Sequence, residues 1–193
     1  MRLIIVRHGE THANAKKIMQ GHGHGRLSRK GGEQVRALAE ALKPEEIDVI
    51  YTSDLRRAVN TAGAIARFHN AKIRHVKALR EMRLGRYEGV SWKDFSQDLA
   101  SSKPRQSFRP EGGESFADLK RRVKPFATGL HARHSNQTVL ISTHGFTIRC
   151  LLSIYLGMPL DEAISTHQRN AGFVILEVGK NSARIVRDEM TLQ

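Results

Sequence analysis

The length, composition and charge of the chain limit what it can be. It has 193 residues, 39% of them hydrophobic, which is enough for one compact core and too little for two comfortable domains. No run approaches the roughly 18 apolar residues of a membrane span, and the amino terminus lacks the pattern of a secretory signal. We therefore expect a single soluble, cytoplasmic domain over residues 1–193.

The charge balance indicates the class of partner. A formal charge of +13, from 32 Lys and Arg against 19 Asp and Glu, favours anionic ligands. The basic residues are scattered, and only 6% of residues are aromatic, which argues against a nucleic-acid partner. The chain has one cysteine, Cys150, which excludes an internal disulfide. Because Cys150 lies in an apolar segment, we interpret it as a buried structural thiol.

The first predicted element ends in residues suited to a binding site. Leu3 to Val6 form an apolar, mostly β-branched run that is typical of a strand buried on both faces inside a parallel sheet. Arg7, His8 and Gly9 follow it directly. Because open α/β folds bind ligands at the carboxyl ends of their strands, this junction is a candidate site.

Helical and strand patterns then alternate. LSRKGGEQVRALAEAL predicts a helix that is capped by Ser28 and ended by Pro44. IDVIYTS predicts a strand, DLRRAVNTAGAIARFH a helix and KIRHV another strand. Residues 82–115 are rich in glycine and proline, with room for one short helix near SWKDFSQDL, so we expect a lid-like excursion over the sheet.

The last third of the chain repeats the opening pattern. ESFADLKRRVKPFATGLHARH predicts a long helix that is interrupted or kinked at Pro125. TVLISTHG predicts a strand that ends in Thr143, His144 and Gly145, followed by the helical FTIRCLLSIYLG. AGFVILEVG and ARIVRDEM predict a hairpin. This order predicts a three-layer α/β/α sandwich with a mostly parallel central sheet and an antiparallel edge.

Two histidines at one edge of a sheet suit phosphoryl chemistry. His8 and His144 each follow a predicted strand, so parallel strands would place the two imidazoles side by side. An imidazole can act as a nucleophile when one nitrogen is unprotonated and a backbone carbonyl holds the other. Arg7 and Arg57 add guanidinium forks, which match phosphoryl oxygens two at a time.

Four motifs together resemble a known family. RHGETHAN, TSDLRRAVNTA, LREMRLGRYEG and STHG are similar, in order and spacing, to those of the histidine phosphatase superfamily, which includes cofactor-dependent phosphoglycerate mutases and many phosphomonoesterases. The resemblance spans almost the whole chain. It implies the phosphoglycerate mutase-like fold and an enzyme that works without a metal or other cofactor.

The resemblance also implies a role for each matched residue. His8 resembles the nucleophile that becomes phosphohistidine. Glu81 resembles the group that protonates the leaving alcohol and then helps to activate water. The residues matched to the pocket for phosphoryl oxygens are Arg7, Asn14, Gln20, Gly21, Arg57, His144 and Gly145. Cationic donors around a transferring phosphoryl group are what this chemistry requires.

The GHGHGR segment at residues 21–26 has two histidines but lacks the pattern of a metal site. His22 and His24 alternate with glycines and no other ligand is near in sequence, so we interpret the segment as a flexible loop. Members of the resembled family often carry an acidic residue and a proline where His24 and Arg26 stand. The shape of this loop is therefore not predicted.

The chain resembles the phosphatase branch of the family more than the mutase branch. It lacks the extra segments with which mutases cover a phosphorylated intermediate, and an intermediate open to water is hydrolysed. We predict a phosphomonoesterase that acts on small phosphorylated metabolites. Phosphoglycerate mutase-type transfer and dephosphorylation of phosphohistidine in proteins are the alternatives, and a homodimer is left open.

Basic side chains of the predicted lid suggest a preference among substrates. We expect them to recognise a second anionic group, so that bisphosphates or phosphorylated carboxylic acids are preferred over esters with neutral tails. These residues are Arg83, Arg86, Lys103, Arg105 and Arg109.

Overall fold

The computed structural model describes residues 1–192, and its central layer is a six-stranded sheet in the order β3-β2-β4-β1-β6-β7. The strands are β1 (Arg2–Arg7), β2 (Val49–Thr52), β3 (Lys72–His75), β4 (Thr138–Thr143), β5 (His167–Gln168), β6 (Phe173–Val178), β7 (Ala183–Asp188) and β8 (Thr191–Leu192). The two short strands β5 and β8 pair in a separate sheet, which the sequence did not predict.

The sheet is mostly parallel with an antiparallel edge, as predicted. Strands β3, β2, β4 and β1 run parallel, whereas β6 is antiparallel to β1 and pairs with β7 as a hairpin. Arg7 of β1 is directly opposite Thr143 of β4. The residues that follow them, His8 and His144, therefore leave the sheet side by side.

Eight helices surround this sheet within the described part of the chain. They are α1 (His12–Ala15), α2 (Arg29–Leu42), α3 (Arg56–Ala66), α4 (Trp92–Ser101), α5 (Phe116–Thr128), α6 (Leu130–Arg133), α7 (Gly145–Leu156) and α8 (Leu160–Ser165). The sequence patterns did not predict α8. Within residues 1–192, none of these helices combines the length and apolar character needed to cross a bilayer.

Alternate residues of β1 belong to two separate hydrophobic cores. Leu3 and Ile5 pack in the core that contains α5 and α7, whereas Ile4 and Val6 pack in the core that contains α2 and α3. Because side chains alternate across a strand, an apolar run without polar interruptions is what a strand covered on both faces requires. The three-layer prediction is confirmed.

The ends of the helices follow local chemistry, with one correction. Ser28 accepts a hydrogen bond from the N–H of Gly31 and caps α2 as predicted. Of the two alternatives predicted at Pro125, an interruption is wrong, because α5 continues past Pro125 to Thr128 and the helix ends at Gly129; a kink stays a prediction. Pro125 is exposed, so water can reach the carbonyl that the missing N–H leaves unpaired.

The segment of residues 82–115 packs against the loop that follows α1. It contains α4, as predicted, and short 3₁₀ turns. The N–H of Trp92 donates to the carbonyl of Lys17 at 2.8 Å, and that of Met19 to Val90 at 2.9 Å. Phe95 of α4 and Phe146 of α7 lie in a cluster of aromatic rings. These contacts hold one end of the segment beside the carboxyl edge of the sheet.

Candidate active site

A cavity of about 270 Å³ lies at the carboxyl edge of the sheet, where β1 ends. Every residue predicted for the site lines it except His144, which is fully buried behind the wall. The predicted residues in the lining are Arg7, His8, Asn14, Gln20, Gly21, Arg57, Glu81 and Gly145. They come from distant parts of the chain that the parallel sheet brings to one edge.

His8 is held as a neutral imidazole with one nitrogen available. Its Nδ1 lies 2.7 Å from the carbonyl oxygen of Gly9, which can only accept, so Nδ1 carries the proton and Nε2 does not. Burial, followed by the charges of Arg57 and Arg7, lowers the pKa of His8 well below its ordinary value. The predicted backbone carbonyl is therefore present, and Nε2 has the lone pair that a nucleophile needs.

Arg7 presents a buried donor next to His8. Its Nη1 donates to the carbonyl of Gln168, and its Nε is buried with no hydrogen-bond partner among the described residues. The guanidinium lies against Gly145, where a Cβ would be 3.6 Å from Cζ. Burial lowers the pKa of Arg7, and the Glu81 carboxylate partly offsets this effect. An anion in the cavity would supply the missing partner.

Arg57 is fixed by three hydrogen bonds. It donates from Nε to Nδ1 of His144 at 3.2 Å, from Nη1 to the carbonyl of Gly23 at 2.9 Å and from Nη2 to the carbonyl of Gly21 at 2.8 Å. Burial lowers its pKa to about 10, so the guanidinium keeps its charge at neutral pH. The donors of Arg57 are thus oriented before any ligand arrives.

The glycine-histidine segment contributes to this arrangement through its backbone. Gly21 has a φ of 50°, in the left-handed region that glycine adopts without strain, and its carbonyl faces Arg57. His22 contacts the backbone oxygen of Glu81 through Nε2 at 2.8 Å. The segment therefore connects Arg57 to Glu81, a role that the sequence did not predict. No group of three or more metal-ligating side chains is placed to hold an ion within residues 1–192.

His144 is bonded on both sides of its ring. Nδ1 accepts from Arg57, so Nε2 carries the proton and donates to Oγ of Ser53 at 2.8 Å. Burial first, then Arg57 and His8, lowers its pKa well below the ordinary value. The ring lies 5.2 Å from that of His8. His144 thus reaches the cavity through Arg57, and its direct contact with phosphoryl oxygens stays a prediction.

Glu81 caps the helix that begins at the cavity. Its Oε1 accepts from the N–H of Thr147 at 3.2 Å, and its Oε2 accepts from that of Phe146 at 3.3 Å. The residue before α7, His144, makes no side-chain cap, so this distant carboxylate occupies the helix N-terminus instead. The carboxylate is thereby placed beside Gly145, on the cavity wall.

Asn14 and Asn170 form a pair beside His8. Oδ1 of Asn14 accepts from the backbone N–H of Thr11 at 3.1 Å and from Nδ2 of Asn170 at 3.3 Å. The oxygen of the Asn14 amide is therefore used by contacts within the protein. Its Nδ2 is left as a donor for a ligand in the cavity, which Asn14 lines. Nδ2 of Asn170 also approaches the carbonyl of His8 at 3.2 Å. No local pattern in the sequence signalled Asn170.

The basic residues of the predicted lid do not reach the cavity, which corrects the expectation that they face the substrate. Arg86 contacts Asp98, Arg105 binds the backbone of Asp161, and Arg109 pairs with Asp118. The side chains of Arg83 and Lys103 are exposed. Acidic and carbonyl groups of the protein thus bind three of the lid cations, and only Leu84 and Trp92 of this segment line the cavity.

The basic groups in the cavity wall come from other elements. Lys17 follows α1, Arg149 lies on α7 and His167 on β5. The sequence analysis missed all three. Arg149 could have been found, because it lies four residues after Gly145 and therefore on the same face of the helix.

The fold and this sheet edge indicate the class of protein, an α/β enzyme with a buried histidine and two buried arginines at a cavity suited to an anion. The chain belongs to the histidine phosphatase superfamily (branch 1), whose family model matches residues 3–190.

Three comparisons show the range of its relatives. The chain is 30% identical to phosphoserine phosphatase 1 of Hydrogenobacter thermophilus, over 99% of this chain and 93% of that protein. It is 35% identical to a glucosyl-3-phosphoglycerate phosphatase of Mycolicibacterium vanbaalenii, over 83% and 76%. A solved mycobacterial glucosyl-3-phosphoglycerate phosphatase in complex with VO3 superimposes with a TM-score of 0.85 at 28% identity, over 96% and 97% of the two chains.

Proposed function

We propose that the protein is a metal-independent phosphomonoesterase that hydrolyses small phosphorylated metabolites through a phosphohistidine intermediate on His8. The observation that carries this proposal is the tautomer of His8, whose Nδ1 is bound to the Gly9 carbonyl and whose Nε2 has no hydrogen-bond partner within residues 1–192, at a cavity lined by Arg7 and Arg57. The cytoplasmic location predicted from the sequence remains a prediction.

The first half-reaction breaks the ester bond. Arg7, Arg57 and Asn14 hold the phosphoryl oxygens, and Nε2 of His8 attacks phosphorus opposite the leaving oxygen. The new N–P bond forms as the P–O bond to the alcohol breaks. Glu81, in its protonated form, gives its proton to that oxygen, so the product leaves as a neutral alcohol.

The second half-reaction restores the enzyme. Glu81, now a carboxylate, accepts a proton from a water molecule that attacks phosphorus. The N–P bond breaks, its electron pair returns to Nε2 of His8, and inorganic phosphate leaves. The arginines offset the negative charge of the phosphoryl group in both halves, so the cycle needs no metal ion for this purpose.

The comparisons support hydrolysis as the reaction type. The relatives described above are named phosphatases, and the chain is a phosphoric monoester hydrolase of their superfamily. Their names include a phosphorylated amino acid and a glycosylated phosphoglycerate, which agrees with a small phosphorylated metabolite as substrate. The relative solved with VO3 held an oxyanion of the kind that this cavity is suited to bind.

The test is phosphate release with a chelator present, across sugar phosphates, phosphoglycerates, bisphosphates and a chromogenic aryl phosphate. We expect hydrolysis by the wild type and at least a ~1,000-fold loss in His8→Ala. His12→Ala is the matched control, because His12 is exposed and outside the cavity lining. Loss of activity on chelation, or retention in His8→Ala, would refute the mechanism. Transfer between phosphoglycerates without net release would favour the mutase alternative.

A further inference from the structure

The cavity contains a buried cation that the proposed catalytic cycle does not use. Arg149 is 7% exposed and lines the cavity wall. It lies one helical turn after Gly145 on α7, so both residues share the cavity face. Long side chains of a helix lean toward its N-terminus, which brings the Arg149 guanidinium back toward the phosphoryl pocket.

Most of the hydrogen-bonding capacity of Arg149 is not used by the described residues. Its Nε donates to the carbonyl of Thr166 at 3.0 Å, and its guanidinium lies 5.0 Å from the centre of the Phe146 ring. Within residues 1–192, its two Nη atoms make no hydrogen bond to the protein. A buried charge is costly unless it is paired, so these four N–H groups are available for an anion.

The charges around the cavity are also unbalanced. Arg7, Arg57, Arg149 and Lys17 line it, and Glu81 is the one carboxylate in the described lining. A phosphoryl group carries about two negative charges at neutral pH. With Glu81 ionised, the four cations still exceed the combined negative charge of Glu81 and the phosphoryl group by about one. This excess matches a second anion on the ligand.

Lys17 adds a second cation on the same wall. Its φ is 55°, a conformation that costs a residue with a side chain of order 1 kcal/mol or more and that is common at functional sites. Its carbonyl binds the N–H of Trp92, which fixes the loop, and the described residues place no carboxylate within ion-pair distance of its ammonium group.

We propose that Arg149, with Lys17, binds a second anionic group of the substrate, either a carboxylate or a second phosphate. This inference rests on the proposed function. It gives Arg149 and Lys17 the role in substrate selection that the sequence analysis expected of the lid residues. The cavity of about 270 Å³ falls below the usual ~300 Å³ lower limit for sites of drug-sized ligands. The substrate is accordingly a small phosphomonoester that carries another anion.

Matched substrate pairs test this inference. We would measure kcat/KM for 3-phosphoglycerate against glycerol 3-phosphate, which tests a carboxylate. Fructose 1,6-bisphosphate against fructose 6-phosphate tests a second phosphate. In the wild type we expect a preference of about 10-fold to 100-fold for the second anion in one pair, the factor that a charged hydrogen bond of ~1.5–3 kcal/mol supplies.

The Arg149→Met variant is expected to reduce that ratio to within about 2-fold of one, mainly through KM. Arg149→Lys should keep part of the preference because it keeps the charge. Arg83→Met is the control, since its side chain is exposed and outside the cavity lining, and its ratio should equal that of the wild type. If Arg149→Met does not fold, Lys17→Met at an exposed position tests the same ratio, with a smaller expected fall.

The outcomes separate this inference from the proposed function. Hydrolysis of an aryl phosphate by a wild type that shows no preference in either pair would overturn the inference and leave the phosphatase proposal intact. Equal losses on both members of a pair in Arg149→Met would assign that residue a structural role and also overturn it. A wild type that hydrolyses none of these esters would refute both.

Discussion

Nε of Arg57 donates a hydrogen bond to Nδ1 of His144 at 3.2 Å, and both side chains are almost fully buried. This contact sets the tautomer of His144 and the orientation of the guanidinium together. The carbonyls of Gly21 and Gly23 hold the other side of Arg57. The cation that we propose holds the phosphoryl group is therefore positioned by a second histidine and by two glycine carbonyls.

Replacement of Arg57 with lysine should disrupt this arrangement although the charge is kept. A single ammonium group cannot reach His144, Gly21 and Gly23 together, so we expect kcat/KM to fall by about 100-fold to 1,000-fold. Steady-state kinetics would measure the loss. The control is Arg56→Lys, since the neighbouring Arg56 is exposed and outside the cavity lining. Similar kinetics for the two variants would contradict the role given to Arg57.

The buried histidines should make the protein less stable in mild acid. The pKa values of His8 and His144 are lowered in the folded state, so between pH 7 and pH 5 the unfolded chain binds protons that the folded chain does not. Folding stability therefore falls as the pH drops through the unfolded value of about 6.5, by up to ~1.4 kcal/mol per pH unit for each histidine.

Urea unfolding at pH 7, 6 and 5 would measure this dependence. A His8→Asn/His144→Gln variant should show a shallower loss of stability over the same range. The window stays above pH 5 because paired carboxylates, such as Asp54 beside Arg80, titrate lower. An equally steep dependence in the variant would show that other groups carry it.

Changes at Glu81 should separate its chemical role from its capping role. Glu81→Gln keeps an oxygen that can accept from the start of α7 but cannot transfer a proton. We expect kcat for an alkyl phosphate to fall by about 100-fold to 10,000-fold, and less for an aryl phosphate, whose leaving group needs no proton. Glu81→Ala should in addition lower the free energy of unfolding by ~1 kcal/mol through the lost cap. Equal losses on alkyl and aryl esters would argue against proton transfer.

Two adjacent glycines in α2 should respond in opposite ways to alanine. A Cβ on Gly31 would lie 1.9 Å from the carbonyl oxygen of Glu10, two residues after His8, whereas one on Gly32 would meet only the end of Arg36 at 3.8 Å. Gly31→Ala should cost ~1–3 kcal/mol of stability and reduce activity. Gly32→Ala should be neutral or stabilising by up to ~1 kcal/mol. Thermal unfolding compares them, and a stable Gly31→Ala would show that α2 can move away.

The sequence predicted the elements whose signals are local. The apolar run before His8, the Ser28 cap and the repeated strand-to-histidine junction each follow from neighbouring residues, and the structure confirms their positions. Because parallel strands end at one edge, these signals were enough to bring His8 and His144 together.

Contacts between distant segments could not be predicted in this way. The lid arginines look available in the sequence, yet Asp98, Asp118 and the backbone of Asp161 lie beside them only in the folded chain. Arg149 looked like part of a core helix, although its spacing of four residues from Gly145 does place it on the cavity face of α7. Asn170 reaches Asn14 from 156 residues away, which no periodic pattern signals.

The most direct test of the central proposal is to identify the phosphorylated residue during turnover. The protein would be mixed with excess substrate, quenched within milliseconds in alkali, where phosphohistidine survives, and digested for mass spectrometry. We expect a phosphoryl group on His8, in a peptide from the wild type and in none from His8→Ala. Rapid turnover of the wild type with no phosphoryl group on His8, or with one on another residue, would contradict the proposed mechanism.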